Sequence, residues 1–439
     1  MKNIVKIFLC SLIFTSLVNA QQFKQEKLDS LFSTLEENNV FFGNVGIAKN
    51  GKIIYEKSLG YSDFENKVKN TQNTNFRIGS ITKTFTSTLV FKAIEENKLN
   101  LNITLDKWFP EIKNAEKITI SNLLNHRSGI YNFTNNPDYF KWNTNPKTET
   151  EMIEIIKKGG SEFEPNEKEN YSNSNYLLLS FILEKIYKKP YHKILEQKIT
   201  KPLNLKNTLV YSQINPQNND AKSYNFLGNW KLDVETDSSI PLGAGAIKST
   251  LQDLLKFSQA LFNEKIISKN SILKMKETIG EFGYGLFKYQ YNDKINYGHT
   301  GGIDGFKSIF THSDEDNISI AILSNGSNYN LNTISLNMYK AIHNLPYDIP
   351  RFSNYQHSSE ELKNFVGIYK SNDIPLKVTI TLENNSLIGQ ATGQSAFQLE
   401  AMEKNIFKFE LAGLKFNFDP TTNSMDLIQG GKTYHFIKE

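Results

Sequence analysis

Phe76-Arg77-Ile78-Gly79-Ser80-Ile81-Thr82-Lys83 sets a serine and a lysine three residues apart behind a glycine. If a helix begins at Gly79–Ser80, Lys83 stands one turn beyond Ser80 on the same face, because residues three apart are neighbours on a helix. A serine hydroxyl would then have an amine within hydrogen-bond reach. A free lysine, with a pKa of about 10.4, is a poor base at neutral pH. Burial and nearby positive charge lower that pKa and make the amine competent. The backbone N–H of Ser80, at the helix start, would favour developing negative charge. The same spacing recurs at Ser271-Ile272-Leu273-Lys274, which reads as part of an ordinary amphipathic helix. Ser80 therefore needs partners before the spacing means anything.

Two other segments qualify. Tyr171-Ser172-Asn173 is the only Tyr-x-Asn in the chain. A phenol whose pKa is lowered beside a lysine can shuttle protons, and Asn173 can bond the lysine or a substrate amide. The plain structural alternative is a helix start, with Asn173 as N-cap and Tyr171 as staple. Gly298-His299-Thr300-Gly301-Gly302 lies between the strand-like runs Lys294–Tyr297 and Lys307–His312. Its glycines would let a substrate backbone approach a strand edge, and the Gly302 N–H could act as a second oxyanion donor. The alternative is a glycine-rich hairpin with an incidental histidine.

In this order the three sets resemble the serine penicillin-recognising hydrolases: class C β-lactamases, D-Ala-D-Ala carboxypeptidases, D-aminopeptidases and related esterases. The resemblance spans about Leu28–His343 and extends to Leu123-Leu124-Asn125-His126-Arg127-Ser128-Gly129, Gly243-Ala244-Gly245-Ala246 and Ala321-Ile322-Leu323-Ser324-Asn325. It implies Ser80 as acylated nucleophile, Lys83 and Tyr171 as the base system, and Asn173 as its orienting group. His299, Thr300, Gly301 and Gly302 would form the far wall and the oxyanion side. The implied fold is an α/β (α+β) β-lactamase/transpeptidase-like one: an antiparallel sheet flanked by helices, an all-helical lobe, and a site between them. One departure is informative. Class C β-lactamases usually carry lysine where His299 stands, as a cation for the substrate carboxylate. An ordinary histidine, with a pKa of about 6.5, is mostly neutral above pH 7, so its charge on a carboxylate substrate would fade as pH rises. With no Glu-x-x-Leu-Asn loop of the class A kind after the Tyr171-x-Asn173 segment either, the resemblance favours a D-peptidase or esterase acting on a peptide or small-molecule substrate. A class C-like β-lactamase and a non-catalytic penicillin-binding sensor or scaffold are the alternatives.

Composition narrows the field further. The 439 residues carry 50 Lys+Arg against 46 Asp+Glu, and only three of the basic residues are arginine, so there is no footprint for nucleic acid. Met1–Ala20 has lysines at 2 and 6, an apolar run to about Val18 and a Val18-Asn19-Ala20 ending, the pattern of a signal peptide cleaved near Ala20. Cys10, the single cysteine, would leave with it, which excludes thiol catalysis and disulfides in the exported chain. Periplasmic or secreted location follows, with no membrane span after cleavage. The seven histidines show no His-x-x-x-His or His-Glu pair, and neither metal nor cofactor is expected.

Further along, Glu26–Asn38 has the period of an amphipathic helix, and Asn50-Gly51 between two apolar runs is a hairpin signal. Helices are expected at Tyr176–Lys188 and after Ser249-Thr250-x-x-Asp253, and a strand at Gly285–Tyr291. Residues 346–360, with two prolines, read as a linker between a catalytic unit at 21–345 and a tail at 361–439. In the tail, eight short alternating runs suggest a small closed β-barrel. By the same resemblance it is similar to the lipocalin-like domain that follows some members, and it leaves room for oligomer contacts.

Overall fold

In the computed structural model, which describes residues 24–439 apart from 227–228, 292–293, 353–354, 356, 384 and 395, the Asn50-Gly51 turn takes φ of 52° and 78°. Positive φ at both turn residues is the two-residue hairpin geometry that matches strand twist. It joins strands Phe41–Lys49 and Lys52–Leu59 with Lys49 opposite Lys52. The expected signal segment, with Cys10, and Asn384 of an expected barrel turn lie outside the described residues.

This hairpin forms one edge of a six-stranded antiparallel sheet. From the other edge the order is Phe287–Tyr291, Lys294–Ile303, Phe306–Ser313, Ile318–Ser327 and then the hairpin. Period-two alternation divides the sheet's side chains between two faces. Ile320 and Ile322 pack with Leu28, Leu31 and Phe32 of helix Gln25–Glu37 and with Met338 of helix Leu331–Ile342. Their neighbours Ala321 and Leu323 join the opposite core with Leu254 and Leu255 of helix Leu251–Phe262. That helix is capped by Thr250, whose hydroxyl accepts the Asp253 N–H at 3.4 Å.

The helical lobe is built around Thr82–Glu95, a helix buried on nearly every side although its sequence opens Thr-Lys-Thr-Phe-Thr-Ser-Thr. Its buried hydroxyls are each satisfied, as burial of polar groups requires. Thr84 donates to the Gly285 carbonyl, Thr86 to Gly243 and Ser87 to Tyr284. Helix Asn173–Tyr187 packs beside it; it starts three residues before the expected Tyr176. The strand expected from Gly285 begins at Phe287, and the two expected runs around His299 are parts of neighbouring strands in one continuous ladder.

The tail forms nine strands rather than the expected eight. The run read as Phe397–Glu400 divides into Phe397–Gln398 and Glu400–Glu403. Leu399 between them is buried and donates its N–H to the Leu387 carbonyl at 2.8 Å. These two short strands are the ends of the antiparallel sheet, so it curls nearly closed around Phe407, Phe416, Phe418 and Phe436. Helix Ser359–Lys363 straddles residue 361 and contributes Leu362 to that core. Tyr347 of the proline-bearing segment is buried against the Gln25–Glu37 layer, and Asn330 Nδ2 reaches the Leu411 carbonyl of the barrel at 3.0 Å.

Candidate active site

Strand Phe76–Arg77 pairs with Ile247–Ser249 and delivers the chain into a single 3₁₀ turn, Gly79–Ile81, from which helix Thr82–Glu95 grows. The turn needs glycine. Gly79 has φ of 49°, and a Cβ there would come within 2.7 Å of the Gly302 nitrogen. From the other side, a Cβ on Gly301 would stand 2.1 Å from the Ile78 carbonyl, and Ser308 Oγ donates to that carbonyl at 2.8 Å. The strand Lys294–Ile303 is thus pinned against the turn that carries Ser80.

Lys83 is fully buried and its Nζ has three oxygen neighbours: Ser80 Oγ at 3.1 Å, Asn173 Oδ1 at 2.7 Å and the Ala244 carbonyl at 2.7 Å. None is ionised, and burial holds its pKa well below the usual lysine range. A neutral amine has two N–H bonds and one lone pair. The two amide carbonyls take the N–H bonds, and the lone pair is left for the Ser80 hydroxyl proton. Asn173 is oriented for this by its other end: Nδ2 donates to Asn132 Oδ1 at 3.3 Å and to Thr134 Oγ1 at 3.2 Å.

Tyr171 lies with its ring 4.8 Å from Lys83 Nζ, packed on His126 at 4.4 Å between ring centres and beside Phe282 and Phe287. A hydrogen bond with Ser80 draws its pKa down, but burial outweighs it and raises the phenol above its ordinary value. This corrects the expectation of a lowered phenol pKa. A neutral lysine supplies no cation to stabilise a phenolate, and the aromatic surround penalises one.

His299 also departs from expectation. It is 1% exposed and stacked on Phe287 at 4.1 Å, with Nδ1 2.5 Å from the Thr300 carbonyl. Burial and then the neighbouring Lys83 push its pKa down to about 3. It is a neutral wall residue at any working pH, with no charge to fade. Thr300, Gly301 and Gly302 follow it on a strand whose outer partner, Phe287–Tyr291, pairs only as far as Gly298. Beyond that pairing, Gly302 borders a cleft of about 680 Å3 that Ser80, Asn173 and Gly245 also line. A Cβ on Gly302 would meet nothing within 4 Å, so its backbone borders open space.

The structure thus brings Ser80, Lys83, Tyr171, Asn173, His299, Thr300, Gly301 and Gly302 to one place, and leaves Ser271 and Lys274 elsewhere. Asn132 and Thr134 were not foreseen. They sit in a loop without a readable motif, and the one sign of them is a pair of polar side chains just after the Ser128-Gly129 turn. His126, noted only as part of a matching segment, accepts the Ser172 N–H at 3.1 Å and fixes the backbone between Tyr171 and Asn173. Among the described residues no three His, Cys, Asp or Glu side chains are grouped to hold a metal.

Residues 28–345 match the family model described as Beta-lactamase. Teichoic acid D-alanine hydrolase of Staphylococcus aureus (strain MRSA252) is 30% identical over 320 residues, covering 71% of this chain and 76% of that protein. Penicillin-binding protein 4* of Bacillus subtilis (strain 168) is 27% identical over 435 residues, covering 91% of this chain and 94% of its own. Among solved structures, the octameric penicillin-binding protein homologue from Pyrococcus abyssi superposes with a TM-score of 0.66 at 24% identity. It covers 94% of this chain and 99% of that one, so the likeness in fold extends through the tail.

Proposed function

The chain belongs to the β-lactamase family of serine hydrolases, and we propose that it is an exported enzyme working through a Ser80 acyl-enzyme on D-amino-acid peptides, amides or small esters. The observation that carries this reading is the bonding of Lys83 Nζ, which leaves one lone pair directed at the Ser80 hydroxyl. Ser80 Oγ passes its proton to Lys83 as it bonds the substrate carbonyl carbon. The backbone N–H groups of Ser80 and Gly302 hold the oxyanion, a contribution of the kind that usually dominates acyl transfer. Tyr171, a neutral phenol, protonates the departing nitrogen or oxygen and recovers a proton from Lys83. Water then repeats the sequence on the acyl carbon, and Ser80 leaves with its proton restored.

The relative named teichoic acid D-alanine hydrolase supports D-amino-acid chemistry for this site. A neutral, buried His299 supports a hydrolase of this kind over an efficient β-lactamase, which would want a cation there. Export rests on the N-terminal segment, and the division into a hydrolase unit at 21–345, a linker at 346–360 and a lipocalin-like barrel at 361–439 rests on composition and on the separate aromatic core of the tail. The octameric homologue favours assembly of more than one copy, and the barrel is the surface we propose for it.

The test is a panel of D-Ala-D-Ala peptide, D-amino-acid amide, p-nitrophenyl ester and cephalosporin, run with wild type and Ser80→Ala, together with labelling by a fluorescent penicillin or phosphonate. Loss of both turnover and label in Ser80→Ala is expected. Equal labelling of the variant would sink the nucleophile assignment, and fast cephalosporin turnover would favour the β-lactamase reading.

A further inference from the structure

The cleft beside Ser80 has an uneven distribution of charge. His299, which stands where a carboxylate-binding cation would be expected, is buried and neutral. Arg77 is held by Glu235 at 3.0 Å and Asp304 at 2.9 Å. Lys307 is on the wall, but its neighbours Phe306 and Ser308 face the nucleophile side. Alternation along a strand sends the Lys307 side chain the other way, and its Nζ donates to the carbonyl of Ser327, which does not line the cleft. Lys83 is enclosed by its three oxygen partners.

The acids differ. Asp304 lines the same cleft but is spent: it accepts from Arg77 and twice from Thr236, and its side chain is 2% exposed. Asp233 also lines the cleft and is partly exposed. Among the described residues it accepts the Asn225 side-chain amide at 2.5 Å and the Val234 N–H at 2.8 Å. Arg77 is committed as above and Lys222 to Asp63 and Glu65, so neither neutralises it. A carboxylate has about four acceptor positions, so about two remain on Asp233. Phe140, 81% exposed, and Val234, 52% exposed, line the same cleft and add apolar surface to it.

We propose that Asp233 binds the free ammonium group of the acyl half of the substrate, so that this site takes D-aminoacyl esters or amides with an unblocked amine and not peptides whose leaving group carries a carboxylate. This rests on the Ser80 hydrolase reading and gives it a substrate polarity. A cleft with one unneutralised carboxylate and no directed cation attracts ammonium and repels carboxylate groups. The charge-assisted bond between them is among the stronger hydrogen bonds available to a small substrate.

The experiment compares D-alanine p-nitroanilide with N-acetyl-D-alanine p-nitroanilide in wild type, Asp233→Asn and Ser80→Ala. Both anilides are also tested as competitive inhibitors of p-nitrophenyl butyrate hydrolysis, which reads binding even where turnover is slow. Wild type should favour the free amine. Asp233→Asn should lose about tenfold or more on it, chiefly in KM or Ki, and remain unchanged on the acetylated compound and the neutral ester. Equal loss on all three substrates, or no loss on any, overturns the assignment to Asp233. Undiminished hydrolysis by Ser80→Ala overturns the underlying reading instead. The melting temperature of Asp233→Asn, expected to match wild type, separates recognition from folding.

Discussion

Ser80-x-x-Lys83 and Ser271-x-x-Lys274 share spacing, residue types and a place on a helix or its first turn, and they have opposite chemistry. Ser271 Oγ donates to the Glu95 carboxylate at 2.6 Å, and Lys274 pairs with Glu277 at 2.6 Å, its side chain one-third exposed. Hydrogen bonding to Glu277 raises the Lys274 pKa. Lys83 meets only neutral oxygens and is sealed from water, and its pKa falls. An adjacent carboxylate keeps an ammonium charged, whereas buried amide carbonyls favour the free amine. The motif supplies a distance, and the oxygens that touch the lysine decide whether that distance holds a base or a salt bridge.

The difference can be broken by mutation at several points. Ser80→Ala should lower kcat/KM by on the order of 10³-fold or more, and Lys83→Met by a similar factor, because the two act as a unit; the double variant should lose little beyond either single one. Asn173→Asp would give Lys83 the ionised partner that Lys274 already has. Its raised pKa should shift the acid limb of the kcat/KM profile upward, since only the free amine accepts the Ser80 proton and the active fraction grows as pH passes that pKa. Activity lost at neutral pH should return in alkali, and an unshifted limb would refute this account of the base. Titration of His299 should leave no inflection near pH 6.5, because it stays neutral down to about pH 3; an inflection there that disappears in His299→Gln would contradict its burial. Ser271→Ala should leave kcat/KM unchanged and cost about 1 kcal/mol of stability in denaturant unfolding, the scale of one hydrogen bond.

Much of the site could be read in the sequence because its members lie in short, local patterns: Ser80 with Lys83, Tyr171 with Asn173, and His299 with three residues of strand edge. The same is true of the Asn50-Gly51 hairpin, whose turn type depends on two residues. What depended on distant neighbours was misjudged or missed. The pKa directions of Tyr171 and His299 follow from burial against partners distant from Tyr171 in sequence: Phe282 and Phe287 pack on Tyr171 from more than a hundred residues away, and Phe287 also covers His299. Asn132 and Thr134 orient Asn173 from a loop with no periodicity to mark it. The break at Leu399 was hidden because its side chain continues the apolar alternation while its N–H turns to Leu387. Asp233 escaped notice because one acid on a short hairpin has no signature until the cleft around it is seen.

That break at Leu399 has a consequence for how the tail behaves in a crowded solution. A sheet's outer strands expose unpaired N–H and C=O groups that can recruit another chain, and the hazard grows with their length. Here the outermost strands are two and four residues long, and a single residue joins them. A passing strand would find too little ladder to propagate along, so a tail made almost wholly of β-structure carries its own protection against edge-to-edge aggregation.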